Sequence, residues 1–123
     1  MPNENLVRKA LDQPDETRSF VDGKGKAQVF KVGAVTLGRG IFEPGWQWSK
    51  HVKPIAKTDS CQVEHTGMVL EGRMRVRMND GTEVEVGPGD AFHMPPGHDA
   101  WIVGNQRCVL IDVTGFGTYA KPK

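Results

Sequence analysis

From residue 27 onward, apolar and polar positions repeat with a period of two. Met74, Val76 and Met78 alternate with Arg73, Arg75 and Arg77; Asn79-Asp80-Gly81 turns the chain; Val84 and Val86 then alternate with Glu83 and Glu85. Successive side chains of a strand point to opposite faces, so this pattern predicts a hairpin with an apolar inner face and with Arg opposite Glu outside. Opposed charges read as a solvated, paired face and not as a basic patch. Ala27–Val32 and Ala34–Phe42, rich in Val, Phe, Leu and Ile around Gly33, predict two more strands. After the Glu43-Pro44-Gly45 turn, Trp46–Lys53 is expected as the next strand and Pro54–Cys61 as a polar loop. Ala100–Val103 and Cys108–Val113 predict the last two.

The sharpest local signal is Gly89-Asp90-Ala91-Phe92-His93-Met94-Pro95-Pro96-Gly97-His98. A turn launches a short apolar strand, and a Pro-Pro-Gly corner redirects it. Proline fixes φ and glycine permits φ > 0, so the corner is rigid and His98 is held in place before anything binds it. The whole pattern gives about eight short, closely spaced strands with Gly/Pro/Asn turns. It predicts an all-β chain, an antiparallel sandwich or barrel that a jelly roll closes at this size. Residues 1–26 are expected as an N-terminal arm with a short helix over Glu4–Leu11, 27–113 as the barrel and 114–123 as a tail crossing the surface or a partner.

With 123 residues the chain is one domain, large enough for a core without staples. Lys+Arg is 16 and Asp+Glu 15, a balance that offers no reason to bind nucleic acid or anionic membrane. No apolar run approaches the roughly 18 residues of a membrane span. Met1-Pro2-Asn3-Glu4-Asn5 lacks a basic region followed by an apolar one, so a cytoplasmic protein without signal peptide is expected. Cys61 and Cys108 are then read as free thiols, Cys108 as a core residue.

These motifs resemble those of the cupin family, G(x)5HxH(x)3-4E(x)6G and G(x)5PxG(x)2H(x)3N. His51 follows Gly45 after five residues, and six residues separate His65 from Gly72. In the second motif five residues separate Gly89 from Pro95, and Gly97 stands two places on. The resemblance spans about Gly45 to Asn105, and it implies the single jelly-roll barrel. The departures fall on the ligand positions. Lys53 replaces the second histidine of HxH, His65 stands where the family has glutamate, and the gap before it is 11 residues. Ala100 takes the second-motif histidine position with His98 two residues earlier, and Gly104 takes the asparagine position beside Asn105.

Strand parity puts His51 on one face with Lys53 and His98 on one face with Ala100; the resemblance implies that these faces, and His65 at a position the family aims inward, turn into one cavity, where three neutral imidazoles would hold one divalent transition metal (Fe, Mn, Ni, Cu or Zn) and leave positions open. Cys61, four residues before His65, is an additional ligand or a packed thiol. His93 matches no ligand position. Lys53 either reaches the mouth to meet a substrate carboxylate or enolate, or pairs with Glu64 or Asp99. Asp112 is a paired buried carboxylate or a pocket acid, and it or Asp99 would handle protons. Met68, Phe92, Met94, Ala100 and Trp101 line a pocket or pack. Trp46 and Trp48, at outward parity, fill the inter-sheet core or a dimer contact.

No nucleophile elbow, phosphate loop or paired-carboxylate signature is present. Three function classes stay open. One is a metal enzyme of dioxygenase, isomerase or lyase type acting on a small, possibly anionic organic molecule. The second is a non-catalytic sensor or storage module. The third is a metal-free sugar-type isomerase or epimerase using a pair such as His65 with Asp112. The resemblance also implies a homodimer, with the arm clamped across it.

Overall fold

A computed structural model describes residues 6–121. Among these residues nine strands form two antiparallel sheets. In chain order they are β1 (Glu16–Ser19), β2 (Gly25–Val32), β3 (Val35–Phe42), β4 (His65–Glu71), β5 (Arg73–Met78), β6 (Glu83–Val86), β7 (Ala91–Met94), β8 (His98–Val103) and β9 (Cys108–Asp112). The larger sheet runs β1-β2-β3-β9-β4-β7 and the smaller β6-β5-β8. Two helical turns, α1 (Trp48–His51) and α2 (Lys53–Ala56), link β3 to β4. Among the described residues no helix is long and apolar enough to cross a membrane.

The sheets meet through one apolar core. Ala27, Val29, Val69, Cys108 and Leu110 come from the larger sheet, and Met74, Val76, Val86, Ala100 and Ile102 from the smaller. The Arg/Glu hairpin forms as its alternation predicts, with Met74 opposite Val86 and Arg75 opposite Glu85. Arg73 Nε donates to Glu85 at 2.6 Å and Arg75 Nε to Glu83 at 2.7 Å on the solvent side.

Four local expectations change. Trp46–Lys53 is not a strand. From position 48 the backbone N–H groups turn back, His51 to the Gln47 carbonyl at 2.9 Å and Val52 to that of Trp48 at 3.0 Å. Asp99 holds this turn by accepting Ser49 N–H at 3.0 Å, and Pro54 in the first turn of α2 suits a helix start. The helix expected over Glu4–Leu11 lies partly outside the described residues, and residues 6–11 are not helical. The tail turns inward: Phe116, Tyr119 and Ala120 are buried. Arg18 of β1, itself buried, fastens it by donating to the Phe116, Tyr119 and Gly117 carbonyls at 2.9, 2.7 and 3.2 Å. Residues Glu16–Ser19, within the segment read as an arm, pair with Lys26–Val29 of β2 as an edge strand.

Candidate metal centre

The Pro-Pro-Gly corner does what its rigidity predicts. Gly97 sits at φ +96°, and the backbone enters β8 with His98 buried. The Pro95 carbonyl, one turn back, accepts His98 Nδ1–H at 2.7 Å. That bond leaves Nε2 as the ring's lone pair. The main chain then ties His98 to Cys61, since Cys61 N–H donates to the His98 carbonyl at 2.8 Å and His98 N–H to that of Cys61 at 3.3 Å. A further bond, Gly97 N–H to the Cys61 carbonyl at 2.7 Å, closes the clamp.

His65 opens β4 and is buried. Its Nδ1 is hydrogen-bonded to Asp112 of β9, which is fully enclosed. The other Asp112 oxygen accepts Thr114 N–H at 2.7 Å and Gly115 N–H at 2.8 Å. Burial alone would raise the Asp112 carboxyl; the bonds from His65, Gly115 and Thr114 outweigh it and hold it below the ordinary carboxylate value. With Nδ1 engaged, His65 Nε2 faces the Cys61 sulfur at 3.8 Å. One ring nitrogen from each histidine and Cys61 Sγ lie within 4.8 Å of one another. Burial, helped by the neighbouring Asp112 and Asp99 charges, pushes the Cys61 thiol up to about 11. Burial and the neighbouring His65 lower His98, so this ring is neutral at pH 7.

The cluster stands between two spaces. An inner cavity of about 20 Å³ lies between the sheets, walled by His65, His98, Phe92, Met94, Ala100 and several aromatic rings. An outer pocket of about 290 Å³ is bounded by α1, α2, Thr58, Cys61, Gln62 and the C-terminal turn. Trp48 and Tyr119 are walls of both. The Tyr119 ring meets His65 edge-on at 4.8 Å between centroids.

Several expected site residues are elsewhere. His51 is buried on α1, where its Nδ1 accepts Gln47 N–H at 3.0 Å; it is outside the cluster because a helical turn replaces the strand parity that would have aimed it inward. Lys53, half-buried at the start of α2, forms no ion pair with Glu64 or Asp99. Glu64 lies 3.5 Å from His93, which is exposed. Asp99 is spent on Ser49, on the Gln47 amide at 3.0 Å and on Ala100 N–H, so it anchors a turn and is not placed to move protons in the cavity. Met68 is half exposed on the outer face of β4, and Trp101 has outward parity on β8; neither walls the inner cavity. Trp46 and Trp48, by contrast, are core residues that do.

Cys61 was legible in a way the forward count from Gly45 conceals. Counting back from Gly72, six residues lead to His65 and three more to Cys61, the spacing (x)3E(x)6G. That count sets Cys61 at the second-histidine position of HxH. The walls Phe116 and Tyr119 carry no comparable signal, because their placement depends on the Arg18 clamp nearly 100 residues away.

Comparison with known proteins bears on this arrangement. The sequence model described as "Cupin domain" matches residues 55–114. An RmlC-like cupin from Shewanella frigidimarina NCIMB 400 is similar at 20% identity, TM-score 0.59, over 90% of this chain and 91% of the other. The polyketide cyclase RemF from Streptomyces resistomycificus is similar at 21% identity, TM-score 0.63, over 90% and 80% of the two chains. A protein of unknown function from Rhizobium leguminosarum is similar at 27% identity, TM-score 0.57, over 77% and 84%. Comparison with curated proteins gives no match.

Proposed function

Because this chain belongs to the cupin superfamily, we propose that it is a metal-dependent cupin that receives a small organic molecule beside an ion held by Cys61, His65 and His98. The two sheets would be the walls of its jelly roll. One observation carries the reading. Both imidazoles have Nδ1 committed to an acceptor, Asp112 for one and the Pro95 carbonyl for the other, and both lie with the thiol inside one 4.8 Å cluster. Orientation of a ligating histidine through its second nitrogen is the usual support of a metal ligand.

The donor set fits the ion. One sulfur and two imidazoles suit Zn, Cu, Fe or Ni and suit Mn, which favours oxygen donors, least. Three protein ligands leave a position free for water or substrate. When bound, the ion would supply Lewis acidity, or redox chemistry if it is Fe or Cu. The residues supply the rest. Asp112 keeps His65 in the tautomer with a free Nε2, and the aromatic walls keep bulk water out. Cys61 would hold such an ion as its thiolate. Substrate would enter from the outer pocket, where Thr58, Gln62 and Lys121 offer polar contacts. The exposed Met68, Leu70 and Val113 on the outer face of the larger sheet support the expected homodimer.

A second reading has its own support. The enclosed His65–Asp112 pair is a ready acid–base couple without any metal. Metal analysis of untagged protein separates the two. Near-stoichiometric Zn, Cu, Fe or Ni, lost in Cys61→Ser and in His98→Ala, supports the metal centre. Full metal content in both variants, or none in the wild type, refutes it.

A further inference from the structure

Among the described residues, two buried side-chain polar atoms have no hydrogen-bond partner, the indole nitrogens of Trp46 and Trp48. Both side chains are 2% exposed. Both are walls of the inner cavity that His65 and His98 also line. Buried polar groups are nearly always paired, and an exception calls for a reason. Here both exceptions belong to side chains that wall one space, and both are of one chemical kind, since an indole N–H donates and cannot accept.

We propose that the inner cavity receives an acceptor-only oxygen group of the substrate, a carbonyl or carboxylate, and that Trp46 and Trp48 bind it through their N–H groups. The inference rests on the reading that this cavity is the substrate site, and it names the substrate class. The cavity, about 20 Å³, admits one small polar group and not a whole substrate. The body of the molecule would lie in the outer pocket, with Trp48 forming the wall common to both. An ammonium presented to the same place would bring donors against donors, and a hydroxyl, whose oxygen can accept, would be left with its own O–H unpaired in an apolar space. The site therefore selects keto, aldehyde or carboxylate compounds over the corresponding alcohols and amines. The positions are fixed by packing. Trp46 lies 4.5 Å from Phe42 and 5.7 Å from Phe20 between ring centroids, and Trp48 opens α1.

The test reads the indole N–H signals directly. The chain has three tryptophans, so 15N-labelled protein gives three indole peaks, assigned with Trp46→Phe, Trp48→Phe and Trp101→Phe. Formate is titrated into zinc-loaded protein and acetone into metal-free protein. The expected result is a saturable downfield shift of the Trp46 and Trp48 peaks with each probe, the Trp101 peak unmoved and no response to methylammonium. Trp48→Phe should weaken acetone binding about 5- to 10-fold, the loss of one neutral hydrogen bond. If zinc does not bind but acetone moves both peaks, the metal reading fails and this one stands. If zinc and formate bind while the Trp46 and Trp48 peaks stay still, or if the peaks follow methylammonium equally, the indoles are not the receptor and the proposal is overturned. The wild-type titration decides the matter even if a variant fails to fold.

Discussion

Asp112→Asn is the most informative single change, because it alters one hydrogen bond's polarity and little else. Asn keeps the size of Asp and one acceptor oxygen. That oxygen can still take Thr114 N–H and Gly115 N–H, which at 2.7 and 2.8 Å both reach the same carboxylate oxygen. The NH2 group must then face His65 Nδ1, donor against donor. His65 is forced to carry its proton on Nε2, the nitrogen 3.8 Å from the Cys61 sulfur, and loses the lone pair the cluster requires. Loss of such an orienting partner weakens a metal site about 10- to 100-fold. The charge-assisted bond also contributes about 1.5–3 kcal/mol to the fold, which at this size lowers Tm by roughly 6–12 °C. The assay is Co(II) competition against a chelator at pH 7.5, with circular dichroism as the check on folding. A folded Asp112→Asn protein that binds Co(II) as tightly as the wild type would refute the argument.

Three further outcomes are expected. A Cβ at Gly115 would meet the Glu64 carbonyl and lie 2.7 Å from His65 Nδ1, so Gly115→Ala should push His65 off Asp112 and mimic the loss of metal affinity while leaving the charge intact. Apo protein should lose stability above about pH 9. The buried thiols of Cys61 and Cys108 are raised to about 11 and about 12, so the unfolded chain releases those protons first. Each thiol removes about 1.4 kcal/mol per pH unit until its folded value is passed. Urea melts at pH 8, 9 and 10 should show this slope halved in Cys108→Ala; a flat profile contradicts it. Arg18→Gln should loosen the turn that carries Phe116 and Tyr119, seen as faster hydrogen exchange at residues 116–120 and a broadened indole signal for Trp48; unchanged exchange would show that packing alone holds this turn.

The hairpin at 73–86 and the corner at 95–98 were legible because the information is local. Alternation sets a face, and Pro-Pro-Gly sets a bend. His98 was read from parity with Ala100 and His65 from the position the resemblance gave it, and both begin strands. His51 did not, because Trp46-Gln47-Trp48-Ser49-Lys50-His51-Val52-Lys53 satisfies two periods at once. Trp46 and Trp48 alternate as in a strand, while Trp48, His51 and Val52 stand at helical spacing, and all three are buried. Pro54 was the discriminating residue, since it suits the first turn of a helix and would interrupt a strand. Asp99 looked chemical in the sequence. Its role as the anchor of α1 needs the tertiary approach of β8 to residues 47–49.

Cys61 and His98, 37 positions apart in the chain, are joined by amide-to-carbonyl bonds that involve neither side chain. The socket is thus built from backbone, and what occupies it is a separate matter. A single replacement such as Cys61→His would exchange sulfur for nitrogen without disturbing the frame, and would turn the donor set into one of three imidazoles. Such a frame lets a lineage retune which ion it holds, and with it the reaction served, one codon at a time.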